Sequence, residues 1–405
     1  MQPVALRPTL VCAAVLAIQS ALAQTWVLTG ASTNDDWQSI ACSTNGTKLV
    51  AVAYDGGYGN GGPICASTNS GATWAQTSAP ANVSWQSVAS SADGTRLFAA
   101  VHQDLKGNPG ALYISTNSGA NWKPVSSPTN FWAGVACSAD GTKIVAADSG
   151  YGDGLIYASS DSGKTWNPAN APSDSWAALC ISADGSKMAA ADSGYGDGLI
   201  YFSTNSGSDW EPASSPTNAW SCIASSADGT KLVAADSGLG DNRIYVSLDA
   251  GLTWIPTLAP GNQWECVAVA RNGGQFVAAD SGYGDGLIYI STNSGTSWTA
   301  TGPPNYWNAL AASADGSRLF AVAYPGGVYS LKPNPVLTAS RSGTNLVLSW
   351  QDVYSQSGFV LRQAACLATN DWLTLTNLPA LTNGVDVLFI PMASAGSHFY
   401  RLENP

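Results

Sequence analysis

Charged residues, glutamate, methionine and histidine are all scarce in this 405-residue chain. Only 11% of the residues are charged, and the sequence contains three Glu, three Met and two His. So few helix-forming residues argue against a helical fold. His102 and His398 are the only histidines, and no G-x-S-x-G motif accompanies them, so the sequence does not favour serine–histidine catalysis.

Long hydrophobic runs are absent after residue 23. Residues 1–23 carry Arg7, an apolar run from Leu10 to Ile18 and the ending Ala-Leu-Ala, which predicts a cleavable signal peptide. Lipidation at Cys12 is disfavoured because too little apolar sequence precedes it. No later run approaches the ~18 residues that a membrane span needs. We therefore expect a secreted or periplasmic protein, with no membrane insertion and most simply a monomer.

Positive charge is also in short supply. The net charge is −11, and residues 24–331 hold 11 basic and 23 acidic side chains. A surface of this sign repels phosphate backbones and anionic lipids. Nucleic acid is thus not an expected partner.

Cysteine motifs are missing, although seven cysteines remain after residue 23. An odd number cannot all pair, and no C-x-x-C motif or Cys/His cluster occurs. We expect small buried thiols in strands. The alternative is a disulfide between Cys222 and Cys266, which occupy matching sites in successive repeats.

Glycine and tryptophan, by contrast, are abundant, with 42 and 16 copies, and the tryptophans are periodic. Two series of seven run in parallel, and members of the first are 43 to 48 residues apart. A period near 44 with about four short strands per unit is typical of a β-propeller blade, because one small sheet must stack on neighbours to bury both faces. The two series are Trp37, Trp85, Trp132, Trp176, Trp220, Trp264 and Trp307, and Trp26, Trp74, Trp122, Trp166, Trp210, Trp254 and Trp298.

Each repeat divides into four predicted strands, A to D. In the third repeat strand A is 132–137, strand B is 143–147 and strand C is 155–158, with strand D following Trp166. Asp-Gly and Ser-Gly pairs between them supply the positive φ angles of tight turns. We expect an all-β fold, a seven-bladed propeller over residues 24–331.

An eight-residue element precedes strand D in six repeats, beginning at Ser67, Ser115, Ser159, Ser203, Ser247 and Ser291. It resembles the Asp-box, S-x-D-x-G-x-x-W, also called the BNR repeat, with Asn replacing the acid in four copies. Sialidases, sortilin-type receptors, photosystem II stability factors and xyloglucanases carry this element. The resemblance implies a structural turn on the face opposite the active site, and therefore no function for the boxes themselves.

The seventh repeat ends at Leu331 without a box or an outer strand. The segment 25–28 looks like a detached outer strand, so we expect the N-terminal strand to close the last blade and remove an exposed sheet edge.

Residues 332–405 break the period and contain short alternating strands. They predict a small β-sandwich, and the stretches Leu-Ser-Trp and Phe-Tyr-Arg-Leu resemble fibronectin-like modules of secreted bacterial proteins. The resemblance implies a spacer or docking module.

A sialidase site is not expected, since its arginine triad cannot be rebuilt. Arg96, Arg271 and Arg318 belong to the A–B hairpins, which leaves Arg243 alone near the B–C loops. The favoured function is non-catalytic binding or assembly, with recognition of a protein or glycan through the B–C and D–A loops. The alternative is a secreted glycosidase or polysaccharide lyase that uses loop Asp residues.

Paired aspartates recur in the B–C loops of repeats three, four and six. Tight turns are the favoured interpretation of these Gly-rich loops, and no cofactor is expected. Weak calcium binding is the alternative, since two carboxylates five residues apart can reach a hard cation. The candidate ligands are Asp148, Asp153, Asp192, Asp197, Asp280 and Asp285.

The B–C loops of repeats seven, one and two differ from the shared acidic sequence. These repeats become neighbours when the ring closes, and a short loop between longer ones leaves a notch. Aromatic faces with polar tips favour glycan and peptide binding. The predicted ligand-binding residues are Tyr54, Tyr58, His102, Lys106, Tyr306 and Tyr324.

Overall fold

The structure is a computed structural model. It describes residues 25–54, 61–150, 153–237 and 240–332, and beyond these the strands between residues 338 and 403. The chain divides into two compact units, of which one is Gln24–Lys332 and the other contains the strands after Pro333.

The first unit is built from seven four-stranded antiparallel sheets in its described residues, so the expected seven-bladed β-propeller is confirmed. Strands A to D are Trp37–Cys42, Leu49–Ala53, Ile64–Ser67 and Ala75–Gln76 in blade one, and Val83–Ser90, Leu97–Asp104, Leu112–Ser115 and Lys123–Pro124 in blade two. Blade three has Trp132–Cys137, Ile144–Asp148, Ile156–Ser159 and Asn167–Pro168, and blade four has Trp176–Ile181, Met188–Asp192, Ile200–Ser203 and Glu211–Pro212. Blade five has Trp220–Ser225, Leu232–Asp236, Ile244–Ser247 and Ile255–Pro256, and blade six has Trp264–Val269, Phe276–Asp280, Gly286–Ser291 and Thr299–Asn305. Two short 3-10 turns, Gly194–Gly196 and Gly282–Gly284, lie in B–C loops.

Blade seven takes its outer strand from the other end of the unit. Trp307–Ala312, Leu319–Ala323 and Gly327–Lys332 form strands A to C. Thr25–Leu28 pairs antiparallel with strand C, with Trp26 opposite Leu331, as the missing outer strand predicts. The closure protects an edge that would otherwise present unpaired backbone groups.

The tryptophan that opens strand A is the central packing element of every blade. All seven are at most 1% exposed. In blade three the Trp132 indole N–H donates to the carbonyl of Gly110 in the preceding blade, at 3.0 Å. The same ring meets Tyr157 of its own blade edge to face, with centroids 5.6 Å apart. One residue therefore links two blades through apolar area, a hydrogen bond and an aromatic contact.

Members of the second tryptophan series lie at the blade boundaries. Trp210 and Trp254 are 8% exposed and belong to the clusters between blades three and four and between four and five. Strand B fills the middle of each cluster, and its residues in blade one, Leu49–Ala53, are all buried.

A closed circuit of seven backbone hydrogen bonds joins the A–B turns of successive blades. Each turn donates one N–H to the next, at 2.7 to 2.9 Å, and the seventh blade returns to the first through Ala314 N–H and Thr44 carbonyl. The circuit closes because successive blades are related by similar rotations, which is consistent with their nearly constant repeat length. The donors are Thr44, Ala92, Ala139, Ala183, Ala227, Asn272 and Ala314.

The second unit contains two antiparallel sheets in its described residues. Thr338–Ser342, Asn345–Gln351, Val385–Pro391 and Ala380–Thr382 form one sheet, and Leu373–Thr374, Val360–Ala364 and Phe399–Glu403 form the other. Leu348, Leu361 and Tyr400 share a hydrophobic cluster that draws on both sheets. Two sheets around one core form a sandwich arrangement, whereas the fibronectin-like resemblance stays a prediction.

Within the described residues, no helix is long and apolar enough to cross a membrane.

The closure of blade seven predicts an unequal response to two substitutions in one strand. Trp26 is 6% exposed, packs on Trp307 and donates its indole N–H to Thr301, whereas Leu28 is 47% exposed. Trp26→Ala should lower the free energy of unfolding by about 3–5 kcal/mol, as large-to-small changes in a core do, and Leu28→Ala by less than about 1 kcal/mol. Chemical denaturation of the two variants measures both values. Similar losses for the two would contradict the closure.

Candidate binding site on the loop face

The two faces of the propeller differ in chemistry. The A–B and C–D turns form one face, called here the turn face, and the B–C and D–A loops form the other, called the loop face. On the turn face the serine and the acid or amide of each eight-residue turn accept hydrogen bonds from backbone N–H groups of the same turn. In blade three the Ser159 hydroxyl accepts from the Gly163 N–H and Asp161 accepts from the Thr165 N–H, both at 2.9 Å. These hydrogen bonds hold the pKa of the Asp161 carboxyl at about 2, so this acid serves the turn.

The arginines are distributed as the sequence predicts. Arg96 and Arg318 donate to Ser162 and Ser70 in the turns of the next blade. Arg271 lines the central channel, a cavity of about 260 Å³. Among the described loop-face residues only Arg243 is an arginine, and it lies 3.9 Å from the Asp241 carboxylate. A three-arginine carboxylate clamp therefore has no basis in these residues.

Aromatic rings from three blades meet at one place on the loop face. The ring of Tyr54 in blade one lies 6.3 Å from that of His102 in blade two. His102 in turn lies 5.4 Å from Phe131, which directly precedes strand A of blade three. The Gln103 amide donates to the Tyr54 hydroxyl at 3.3 Å. The three rings form a row across two blade boundaries, and we call this group, with Asn130 and Asp148, the loop-face cluster.

Strand B of blade two is longer than the sequence indicates, and this extension positions His102. The sequence predicts His102 in a B–C loop, but strand B runs to Asp104 because Val83 and Ser84 extend strand A and pair with Asp104 and Gln103. A strand holds the imidazole more rigidly than a loop would. This extension corrects the expected length of the blade-two loop.

Within the described residues, two buried polar atoms of the loop-face cluster have no hydrogen-bond partner. They are Nδ1 of His102 and the side-chain amide nitrogen of Asn130. The two residues are close, because the Gly110 N–H donates to the carbonyls of both His102 and Asn130. Buried polar groups normally find partners, so these two atoms are unsatisfied polar groups in neighbouring residues of the cluster.

Asp148 completes the loop-face cluster at the end of strand B in blade three. Burial raises the pKa of its carboxyl, the neighbouring Asp153 charge adds to this effect, and the Gly150 N–H and His102 oppose it. The Ser149 hydroxyl donates to the Phe131 carbonyl at 2.9 Å, which ties this loop to the aromatic row. The cluster thus combines two aromatic rings, an imidazole, an amide and a carboxyl group.

The remaining predicted binding residues lie elsewhere on this face or outside the described residues. Tyr306 and Tyr324 are joined on blade seven, where the Tyr324 N–H donates to the Tyr306 carbonyl at 2.8 Å. Lys106 lies in the exposed turn that follows strand B of blade two, where its N–H donates to Asp104. Tyr58 lies outside the described residues. Tyr54 and His102 are the two predicted residues whose rings the structure places in contact across a blade boundary.

The sequence analysis missed Asn130 and Phe131. Phe131 immediately precedes the strand-A tryptophan, a position that other blades fill mostly with small or polar residues such as Ser175, Ala219 and Gln263. An aromatic at this point was therefore a usable signal.

A second acidic group lies between blades three and four. Asp192 is 5% exposed, and the pKa of its carboxyl is raised to about 6, first by burial and then by the Asp174 and Asp197 carboxylates. Asp174 is within hydrogen-bonding reach of Asp192. Asp174 lies two residues before the strand-A tryptophan of blade four. In the loops that lead into blades three, five, six and seven, the same position is asparagine: Asn130, Asn218, Asn262 and Asn305.

The candidate calcium ligands do not assemble into a cluster of three His, Cys, Asp or Glu side chains suited to a metal ion within the described residues. Burial raises the pKa of Asp280 as it does that of Asp148, and a neighbouring aspartate adds to each shift. Asp192 and Asp280 each accept a hydrogen bond from a loop glycine N–H, at 2.9 and 3.0 Å, which is the geometry of a tight turn.

All six cysteines of the described residues are free thiols, and Cys222 and Cys266 form no disulfide. Cys42, Cys137 and Cys180 line the central channel, where burial raises the pKa of each thiol to about 12. Such thiols stay protonated at neutral pH and are poor nucleophiles.

No known family profile and no curated protein match the chain, whereas solved structures resemble it. The GH74 xyloglucanase from Xanthomonas campestris aligns with a TM-score of 0.59 at 15% identity, over 81% of this chain and 59% of that chain. The structure of YCF48 bound to D1 peptide aligns with a TM-score of 0.57 at 15% identity, over 76% of this chain and 96% of that one. The chain therefore spans about three fifths of the xyloglucanase chain. Both comparisons establish the propeller fold.

The raised pKa of the Asp192 carboxyl predicts that the free energy of unfolding depends on pH. Its pKa of about 6 in the folded protein lies above the ordinary 3.8, so the folded state holds a proton that the unfolded chain has released. The stabilisation that this bound proton gives the folded state is complete below pH 3.8 and is lost as the pH rises past 6. Asp192→Asn mimics the protonated form and should raise Tm by roughly 2–4 °C at pH 8 and leave it almost unchanged at pH 4.

Asp174→Asn provides the companion variant, because asparagine occupies this position in the neighbouring loops. Removing that carboxylate should move the pKa of Asp192 downwards, as followed by carboxyl-carbon NMR. An unchanged titration, or a Tm gain for Asp192→Asn that is equal at both pH values, would contradict the coupling.

Proposed function

We propose that this chain is a non-catalytic binding protein that recognises a protein or glycan through its loop face, with the loop-face cluster as the main contact. The observation that carries the proposal is the pair of unpartnered buried polar atoms, His102 Nδ1 and the Asn130 amide nitrogen, beside the aromatic row. A signal peptide over residues 1–23, export and a monomeric state belong to the same proposal.

The chemistry of the loop-face cluster suits a ligand with both apolar and polar surfaces. Aromatic faces stack on sugar rings or apolar side chains, and the imidazole and amide supply directed hydrogen bonds. The Asn130 nitrogen donates, so it requires an acceptor such as a carbonyl or hydroxyl oxygen. Peptides and glycans both offer these groups, and the bound peptide in the YCF48 structure is an example of a propeller with a peptide ligand.

A glycosidase is the second candidate because Asp192, whose carboxyl has a raised pKa, lies within hydrogen-bonding reach of the Asp174 carboxylate. Glycosidases hold their two carboxyl groups about 5–10 Å apart, so that a sugar carbon or a water molecule fits between them. A pair within hydrogen-bonding reach is closer than that. The geometry favours binding, and the xyloglucanase likeness adds the fold alone.

Matched double variants test the proposal. The protein is first screened on arrays of peptides and of plant and bacterial oligosaccharides, and the dissociation constant of the strongest ligand is measured by calorimetry. Asn130→Ala with Phe131→Ala should weaken binding by about tenfold or more, as loss of a central contact does.

Asn262→Ala with Gln263→Ala is the control, since these residues occupy the same two positions before the strand-A tryptophan of blade six. It should change affinity by less than about twofold. Equal losses in the two double variants, or no ligand on either array, would overturn the proposal. Thermal melts of both confirm that the fold is retained.

A hydrolysis assay separates the second candidate. Wild-type protein and the Asp174→Asn, Asp192→Asn double variant are incubated with xyloglucan, pectin and a fluorogenic sialoside, and new reducing ends or released fluorophore are measured. We expect no difference between the two proteins. Turnover by the wild type that the double variant lacks would establish a glycosidase in place of a binding protein.

A further inference from the structure

A row of long polar side chains links neighbouring blades on the turn face. In six blades strand B is preceded or opened by a cation that reaches the next blade, and Gln275 takes this position in blade six. Lys143, for example, donates to Ser206, and Lys231 donates to the Gly273 carbonyl. The six cations are Lys48, Arg96, Lys143, Lys187, Lys231 and Arg318.

The boundary between blades two and three holds a cavity of about 500 Å³ with three cations in its wall. Arg96 comes from the start of strand B in blade two, Lys123 from strand D of that blade, and Lys164 from the C–D turn of blade three. Ile114 and Val125 form an apolar floor, and Thr116, Ser126 and Ser162 contribute hydroxyl groups. A volume of this size is typical of small-ligand pockets.

Position-matched residues at the other boundaries are not basic. The position of Lys123, just after the second-series tryptophan, is Ala75, Asn167, Glu211 and Ile255 in blades one, three, four and five. The position of Lys164 is Ala120, Ser208, Leu252 and Thr296 in blades two, four, five and six. The cation triplet therefore does not follow from the repeat itself.

No acidic side chain of the described residues neutralises the three cations. No acidic side chain lines the cavity, and none of the three forms an ion pair within the described residues. Arg96 is held in place, because its chain lies where a Cβ at Gly141 would be, and one guanidinium nitrogen donates to the Ser162 hydroxyl at 2.7 Å. The other N–H groups of a guanidinium remain as donors for an anion.

We propose that this cavity binds a short oligosaccharide that carries sulfate or carboxylate groups. Positive charge in an otherwise acidic protein selects an anion, and the hydroxyl groups beside the cations match the many hydroxyls of a sugar. A peptide fits less well, because Pro124 in strand D lacks an N–H and interrupts the edge to which an extended peptide would add. The site lies on the turn face and is independent of the loop-face cluster.

Binding of size-defined oligosaccharides to the full chain tests the proposal by calorimetry at low salt. The probes are a sulfated dextran oligosaccharide, oligogalacturonate and neutral dextran. A poly-glutamate peptide tests whether the cavity prefers an anionic peptide to an anionic sugar. We expect one or both anionic oligosaccharides to bind and neutral dextran not to bind. The sulfated and uronate arms show which anionic group the cavity prefers.

Single-charge variants locate the site. Lys164→Ala should weaken binding by about fivefold to tenfold, as loss of one charge-assisted contact does. Arg243→Ala removes an equal charge from an exposed site on the loop face and should have less than a twofold effect. Both residues are exposed, so neither change should unfold the protein.

A gain-of-function variant provides the opposite test. Asn167→Lys with Ser208→Lys recreates the triplet around Lys143 at the boundary of blades three and four, and should raise the number of bound oligosaccharides from one to two. The proposal is overturned if neither anionic oligosaccharide binds, if Lys164→Ala and Arg243→Ala weaken binding equally, or if poly-glutamate binds more tightly than both oligosaccharides.

Discussion

The burial of one tryptophan at the start of each strand A is the constraint on which the rest of the propeller depends. Each of these seven rings lies between two blades and is almost fully enclosed. Burial of an indole is favourable by several kcal/mol only if its N–H keeps a partner. In blades three to seven a carbonyl after strand B of the preceding blade accepts this hydrogen bond, and in blades one and two the Ser32 or Pro80 carbonyl of the D–A loop accepts it. The spacing of the tryptophans therefore fixes the pitch of the ring.

The same constraint creates the loop face. A register shift directly after this tryptophan occurs in all seven blades, as between Trp132 and Gly134. The bulge and the buried indole fix the D–A residues that precede the tryptophan. These residues therefore lie on the loop face in every blade, next to the end of strand B. Function can then vary in the residues just before the tryptophan, such as Phe131 and Asp174, without disturbing the core.

Sequence periodicity predicted the blade count, the strand order and the closing role of Thr25–Leu28, since each depends on a pattern repeated many times. The extension of strand B to Asp104 was not predictable, because it depends on pairing with Val83 and Ser84 beyond a register shift at Trp85. Asn130 and Phe131 were missed for a related reason. Their significance comes from contacts with His102 across a blade boundary, which the spacing along one chain does not reveal.

Hydrogen–deuterium exchange of the full chain, with and without the strongest array ligand, tests the central claim most directly. We expect protection on binding to be concentrated in peptides that cover residues 97–112 and 126–150, which contain His102, Asn130, Phe131 and Asp148. Blades four to six, whose B–C loops are near copies of one acidic sequence, should exchange at unchanged rates. Protection spread evenly over the loops of all blades, or confined to blades four to six, would contradict the account.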